Sequence, residues 1–210
     1  ITERKKYKII SDVPAELIKD ARFTLSSINN KPLKAQVAEQ YYPAFVEPVI
    51  SRNKNLTTLL NRGVISISYP ENILRFNKGE WKITETVNIS GFKKVIFSSG
   101  TVLNFKGGVG IVSQSPVEID GKSERVQFLG DGKSGWFYLL NAHGESFING
   151  LIMRNVVAVD FDGIKLTGAL SIYNSKINIM DLSIDVVKSE DALNIIQSDF
   201  KLSGCSISNT

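Results

Sequence analysis

The sequence predicts an all-β protein built as a parallel β-helix, and a repeat late in the chain carries that prediction. The segment ALSIYNSKINIMDLSI, at 169–184, returns in pattern as ALNIIQSDFKLSGCSI, at 192–207, an offset of 192 − 169 = 23. Apolar residues in each copy form three pairs spaced by two, with short polar breaks between the pairs. Spacing by two is typical of strands, and a fixed period of this length is typical of a solenoid.

The two copies align residue by residue. Leu170 falls on Leu193 and Ile172 falls on Ile195. Stacked coils of a parallel β-helix lie about 4.8 Å apart, so aligned residues would fill one continuous core. A helical solenoid would instead need apolar residues at i, i+3, i+4 and i+7, which this segment lacks. The remaining aligned pairs are Ile177 with Phe200, Ile179 with Leu202, Leu182 with Cys205 and Ile184 with Ile207.

The pattern continues toward the N-terminus with insertions. Ile148, Leu151 and Met153 align with Ile179, Leu182 and Ile184, an offset of 179 − 148 = 31, so eight extra residues (31 − 23) fall within the loop 155–168. Earlier segments alternate apolar and polar residues between glycine breaks. These segments are 73–83, 85–89, 95–105 and 110–121. We therefore expect about five or six coils over 71–210.

The two ends of the chain differ from this repeat. Residues 1–50 are expected to form a small mixed, β-rich lead-in or the tail of a preceding domain, and 51–210 the β-helix. Within the first part we expect a strand at 6–11, a helical turn at 14–20 and a strand from Phe23 into an Asn-Lys-Pro turn. A short helix at 56–63, stopped by Gly63, would cap the first coil. The last three residues offer no cap, so we expect the β-helix to be truncated at the C-terminus and to continue in a longer chain.

Composition narrows the class of protein. The chain has 210 residues, 42% hydrophobic and 22% charged, as in an ordinary globular protein. The net charge of +4 includes a basic run near the N-terminus that is expected to be solvated, so no nucleic-acid partner is predicted. No apolar run approaches the roughly 18 residues of a membrane span. Cys205 is the only cysteine, which excludes an intramolecular disulfide, and its alignment with Leu182 predicts a small core residue.

Four segments in order carry a family resemblance. NKGEWKITETVNI, GTVLNF, VSQSPVEIDG and SEDALNI resemble right-handed parallel β-helix proteins of the pectin-lyase-like superfamily. More narrowly, they are similar to β-helix regions of multidomain bacterial proteins that carry spore-coat-type kinase domains. The resemblance covers about 56–210. It implies right-handed coils, an extracellular or cell-surface bacterial protein, and polysaccharide or other domains of the same chain as partners. It does not imply an activity, because this fold hosts lyases, hydrolases, adhesins and inert scaffolds.

The resemblance also points to one pair of acids. In β-helix enzymes the substrate lies along the strand that corresponds here to ALSI and ALNI. The adjacent Glu190 and Asp191 resemble the paired acids of polygalacturonases, one as the acid and one to activate water. The Gly-His-Gly and Arg-x-Lys motifs of those enzymes are absent, and the only histidine, His143, lies in NAHGES. Adjacent strand residues face opposite sides, so a solvated turn is the alternative to catalysis.

A wider set of side chains surrounds these strands. Carboxylates from the long loop and the next coil could supply oxygen ligands to calcium, although no cofactor is required by the pattern. The candidate metal ligands are Asp160, Asp162 and Asp185. The candidate ligand-binding residues, on the outward side of ALSI and ALNI and in nearby loops, are Asp160, Asp162, Lys165, Ser171, Tyr173, Lys188 and Asn194. Trp136 and Tyr138 could stack on sugars or pack internally. Asn174 and Gln197 could stack as an amide ladder.

Three functions fit this sequence. The first is a non-catalytic scaffold or recognition segment of a larger protein, with polysaccharide as its expected ligand. The second is a lyase or hydrolase of acidic polysaccharide, with part of its site on coils not present here. The third is an adhesin or assembly module. The chain lacks a complete set of acid and base partners, which favours the first.

Overall fold

The computed structural model of the chain describes residues 54–161 and 166–209, together with two short strands before them. Contacts divide the chain into two units, Ile1–Val46 and Glu47–Thr210. In the first unit, β1 (Thr24–Ser26) pairs antiparallel with β2 (Pro32–Lys34), in agreement with the strand predicted after Phe23. The strand expected at 6–11 and the helical turn expected at 14–20 lie outside the described residues.

The described part of the second unit begins with a helix. Helix α1 (Lys54–Asn61) confirms the prediction of a helix at 56–63, and its Leu56 and Leu59 are buried. Gly63 ends it in the left-handed region with φ of +72°. The Val64 N–H then donates to the Leu59 carbonyl at 2.9 Å, which satisfies one of the last carbonyls of the helix. After the helix, β3 (Ile65–Ser68) pairs antiparallel with β4 (Ile73–Phe76).

The later strands in the described part of this unit stack in three ladders, and the strand pairs within each ladder are parallel. The first ladder contains β4, β7 (Lys94–Phe97), β10 (Val117–Asp120), the first halves of β13 (Glu145–Val156) and β15 (Lys176–Val187), and β17 (Asp199–Ser203). The second contains β5 (Gly79–Ile83), β8 (Thr101–Phe105), β11 (Val126–Leu129), the second halves of β13 and β15, and β18 (Ser206–Ser208). The third contains β6 (Val87–Ile89), β9 (Ile111–Ser113), β12 (Phe137–Leu140), β14 (Gly168–Tyr173) and β16 (Asp191–Ile196). We call one passage of the chain through the three ladders a coil.

Strand pairing confirms the register predicted from the sequence. Leu170 pairs with Leu193 and Ile172 pairs with Ile195, as the predicted offset of 193 − 170 = 23 residues requires. The longer offset is confirmed by the pairing of β13 with β15. The pairs that establish it are Ile148 with Ile179, Leu151 with Leu182, and Met153 with Ile184. The all-β class is thereby confirmed for the described residues, in which strands predominate.

Inward-facing side chains from all three ladders share one core. An aromatic cluster holds together the coils nearest to α1, where Phe76 stacks on Phe97 with ring centroids 4.5 Å apart. Phe128 and Phe137 continue this cluster from the second and third ladders, with centroids 5.6 Å apart. Such pairs add about 0.5–1.5 kcal/mol beyond the area they bury.

The outermost described coil departs from one expectation. Cys205, predicted as a small core residue, is exposed, so that prediction is wrong for this structure. Its neighbours in the same coil are also open to solvent, with Phe200 54% and Ile207 48% exposed. The reason is that β17 and β18 pair on one side only, with β15.

The corners between ladders share an unusual backbone conformation. At the corner from the third ladder to the first, Asn141, Asn174 and Gln197 have φ of 52°, 44° and 49° in consecutive coils. Left-handed φ values suit asparagine better than most residues, because its short amide can bond to nearby backbone. At the corner that follows the second ladder, Asn155, Val186 and Asn209 have φ of 54°, 55° and 52°. Val186 is the exception, since a β-branched residue is strained there.

Candidate functional site

The outward side of the third ladder, where the resemblance places a substrate, is largely covered. Val112, Tyr138 and Ser171 pair with one another in consecutive strands of this ladder. Val112 and Tyr138 are 0% exposed, and Ser171 is 1% exposed. The Ser171 hydroxyl donates to the carbonyl of Gly168 at 2.8 Å. Ser171, a predicted ligand-binding residue, is therefore used inside the fold and has almost no surface to offer a ligand.

The segment 157–161 forms the cover over Tyr138. The Tyr138 hydroxyl donates to the Val159 carbonyl at 2.8 Å and accepts from the Val159 N–H at 2.9 Å. Trp136 stacks on Tyr138 with centroids 4.5 Å apart and meets Phe161 at 5.5 Å. Burial raises the pKa of Tyr138 to about 12. Trp136 and Tyr138 therefore pack internally, which was one of their two predicted roles.

Asp191 is held in a network between two coils. The Thr167 hydroxyl donates to Asp191 Oδ2 at 2.5 Å and accepts from Asn194 Nδ2 at 2.6 Å. The Asp191 N–H also donates to the Thr167 carbonyl at 3.1 Å. Asn194, predicted to bind a ligand, is therefore joined to Asp191 through Thr167. Glu190 lies beside this network and does not belong to it.

Asp185 is similarly occupied. Asn209 Nδ2 and Ser208 Oγ donate to its Oδ1 at 2.7 and 2.9 Å, and Arg154 Nε lies 3.3 Å from its Oδ2. The hydrogen bonds from Asn209 and Ser208, with a smaller contribution from Arg154, lower the pKa of Asp185. Both oxygens of Asp185 have partners within the fold, so Asp185 has a structural role.

The other predicted residues are dispersed. Asp160 is exposed in the covering segment, and Tyr173 is half-buried where β14 ends. Lys188 extends toward Gly132, where a Cβ added to the glycine would lie 3.2 Å from the lysine Nζ. Asp162 and Lys165 lie outside the described residues. Within residues 54–161 and 166–209, no group of three or more His, Cys, Asp or Glu side chains is arranged to hold a metal ion.

An open depression that sequence reasoning missed lies at the corner from the third ladder to the first. Its volume is about 430 Å³. We call it the corner depression, and it is lined by Ala142, His143, Gly144, Glu145, Asn174, Ser175, Lys176, Gln197 and Asp199. These residues come from three consecutive coils. Small-molecule sites have volumes of roughly 300–1,000 Å³, so the size fits a ligand of a few rings.

Amide side chains form one side of the corner depression. Asn174 and Gln197 are exposed at its lining, each in the left-handed backbone conformation. Asn174 Nδ2 donates to Asn141 Oδ1 at 2.8 Å, so this amide contact runs to the preceding coil. Asn141, which the alignment of the two late copies did not reveal, is thus the hydrogen-bond partner of Asn174.

Charged side chains of alternating sign form the other side. Glu145, Lys176 and Asp199 occupy equivalent positions in consecutive coils. Lys176 Nζ lies 3.3 Å from Glu145 Oε1, which also accepts from Asn178 Nδ2 at 2.9 Å. An exposed pair of this kind adds little to stability, typically about 0–1 kcal/mol, so it leaves both groups free to exchange partners.

The floor of the corner depression is rigidly bonded. The Ala142 N–H donates to Ser175 Oγ at 3.0 Å, and the Ser175 N–H donates to Ser198 Oγ at 3.1 Å. Ser175 Oγ in turn donates to the Tyr173 carbonyl at 2.9 Å. These serines join consecutive coils at the corner. His143 and Gly144 are two extra residues in the first of these corners, and they form one wall of the depression.

No protein-family model, curated protein or solved structure gives a match to this chain. Among the described residues, no helix combines the length and the apolar character needed to cross a membrane.

Proposed function

We propose that residues 51–210 form a right-handed parallel β-helix that serves as a non-catalytic scaffold and recognition segment. The three parallel ladders, their shared core and the pairing of equivalent residues in consecutive coils support the solenoid. The hand of the coils rests on the family resemblance and on the usual right-handed crossover between parallel strands. By the same resemblance, the segment belongs to a larger, exported or cell-surface bacterial protein that binds polysaccharide.

The observation that supports a non-catalytic role is that two of the candidate acids, Asp191 and Asp185, form hydrogen bonds between coils. Asp191 and Asp185 each bond to side chains of a neighbouring coil, through Thr167 and through the Ser208–Asn209 pair. General acid–base catalysis needs an acid and a base within reach of one bond of the substrate. Acids that join coils contribute to the stack, and their release would loosen it. A structural role therefore explains their geometry better than catalysis does.

The test is a turnover assay on the 210-residue chain. Pectate, pectin and alginate are incubated with the protein, with and without calcium, and unsaturated products and reducing ends are measured. We expect no turnover above background. Turnover that disappears in Asp191→Asn but persists in Asp199→Asn, a matched change away from the Thr167 network, would overturn the scaffold proposal in favour of a polysaccharide lyase or hydrolase.

A further inference from the structure

The corner depression carries functional groups that suit hydroxyl-rich ligands. We propose that it binds a neutral oligosaccharide, with the amides of Asn174 and Gln197 and the carboxylate of Glu145 as its hydrogen-bonding groups. The inference rests on the proposed recognition of polysaccharide and names its ligand class and its place in the fold. The proposed binding site is the corner depression and not the outward side of the third ladder.

Unused hydrogen-bonding capacity is the first argument. Asn174 uses one amide N–H in its bond to Asn141, which leaves its second N–H and its Oδ1 for a ligand. Both contacts of Glu145 are made to Oε1, which leaves Oε2 as an acceptor. A sugar hydroxyl both donates and accepts, so neighbouring amide and carboxylate groups can bind it through two bonds. Gln197 adds a second exposed amide from the next coil.

The rigidity of the corner is the second argument. The left-handed backbone conformation of Asn174 and Gln197, together with the serine hydrogen bonds beneath it, fixes the backbone positions from which the two amide side chains extend, before any ligand binds. Consecutive coils lie about 4.8 Å apart, so a short saccharide lying along the stack meets the amide of Asn174 in one coil and that of Gln197 in the next. Pre-organisation of this kind reduces the ordering cost of binding.

Charge is the third argument, and it selects the ligand class. Glu145 and Asp199 flank Lys176 at equivalent positions of consecutive coils. The formal sum of the three is negative, so a chain of uronates would bring its carboxylates toward unpaired acid. Exposed charges act over about 8 Å at physiological salt, which covers this depression. Neutral sugars avoid the repulsion. The ligand class proposed for this site therefore differs from the acidic polysaccharide that the family resemblance suggests.

The experiment measures binding of the 210-residue chain to a panel of neutral oligosaccharides and to oligogalacturonate of matched length, by titration calorimetry at physiological salt. We expect at least one neutral glycan to bind at least tenfold more tightly than oligogalacturonate. Asn174→Gly and Gln197→Gly remove each amide and keep the left-handed backbone available. Each should weaken neutral binding by at least fivefold. Asn155→Gly, the same change at a corner away from the depression, should leave it unchanged.

A double variant tests the charge argument. Glu145→Gln with Asp199→Asn should raise the affinity for oligogalacturonate at least fivefold relative to the affinity for the neutral glycan measured with the same variant. Tighter binding of oligogalacturonate than of every neutral glycan by the unchanged protein would overturn the ligand class and leave the recognition role in place. Binding that is lost in Asn155→Gly but kept in Asn174→Gly would overturn the location. Absence of binding to the whole panel would overturn both the inference and the recognition role, and turnover would overturn the scaffold role separately.

Discussion

The covered side of the third ladder and the open corner depression are neighbours along one strand, yet they are built from different chemistry. Ser171, within β14, is 1% exposed, whereas Asn174, which follows the end of that strand, is exposed. On the covered side, aromatic rings stack on one another and hydroxyls bond to backbone groups. At the corner, amide and charged side chains face water. The comparison teaches that outward-pointing strand residues need not form a surface, because a loop from the next coil can pack over them.

An aspartate introduced on the covered side and one introduced at the corner depression should differ most strongly in their effect on the free energy of unfolding. Ser171→Asp would place an unpaired carboxylate at a residue that is only 1% exposed. Burying a charge without a partner costs several kcal/mol, and we expect Ser171→Asp to lose soluble expression or at least about 3 kcal/mol of unfolding free energy. Asn174→Asp should change that free energy by less than about 1 kcal/mol, since Asp also tolerates the left-handed conformation.

Expression yield and urea denaturation of the two variants check this contrast. Equal stability of Ser171→Asp and the unchanged protein would mean that the outward side of the third ladder is open to water. The surface along ALSI and ALNI would then return as the place for a ligand.

The cover itself can be loosened by removing one oxygen atom. Tyr138→Phe leaves the N–H and the carbonyl of Val159 without the partner they share. An unsatisfied buried polar group costs about 1–3 kcal/mol, so we expect a loss within that range in urea denaturation. Tyr69→Phe provides the control, because Tyr69 is 79% exposed and should be unaffected. A Tyr138→Phe variant as stable as the Tyr69 control would show that the bonds between the Tyr138 hydroxyl and Val159 contribute nothing to stability.

The same hydroxyl should give the covered side a pH dependence. Burial raises the pKa of Tyr138 from 10.0 to about 12. Because the folded pKa lies above the unfolded one, the contribution of the neutral phenol to stability is complete below pH 10 and is lost as the pH rises to about 12. The unfolding free energy of the unchanged protein should therefore fall more steeply over this interval than that of Tyr138→Phe. Parallel curves for the two proteins would contradict the assignment.

The sequence predicted the stack well because alternation determines which side chains face inward. Leu170 and Ile172 meet their partners at the expected offset, since a slip by one residue would turn the whole apolar set outward. The predicted burial of Cys205 is wrong for a related reason. Its alignment with Leu182 predicts its position in the repeat, but burial also depends on what packs over that position.

The sites were harder to predict than the core. The cover is held in part by the Tyr138 hydroxyl, which meets the backbone of Val159, 21 residues further along the chain, and such a contact has no periodic signal. The corner depression depends on two extra residues, His143 and Gly144, in one corner of the stack. Aligning NAHGE with NSK and QSD could have found it, because each segment begins with an amide and ends with a charged residue.

The smallest expected effect concerns the backbone of the corners, and it sharpens the argument about their amides. Val186 holds a φ of 55°, where Asn155 and Asn209 hold the equivalent positions in neighbouring coils. The left-handed conformation costs most residues about 1–2 kcal/mol, and asparagine less. Val186→Asn should therefore stabilise the protein by about 1 kcal/mol, or raise Tm by about 2–4 °C. Val187→Asn is the matched control and should destabilise, because Val187 is buried.

This result bears directly on the corner depression. If Val186→Asn stabilises the fold, an asparagine at a corner has a backbone role by itself, and only the loss of binding in Asn174→Gly can assign a ligand role to its amide. If Val186→Asn leaves the unfolding free energy unchanged or lowers it, relief of backbone strain cannot explain why amide residues occupy these corners. Their side-chain contacts, including the bond from Asn174 to Asn141, would then be the remaining physical reason for amides at the depression.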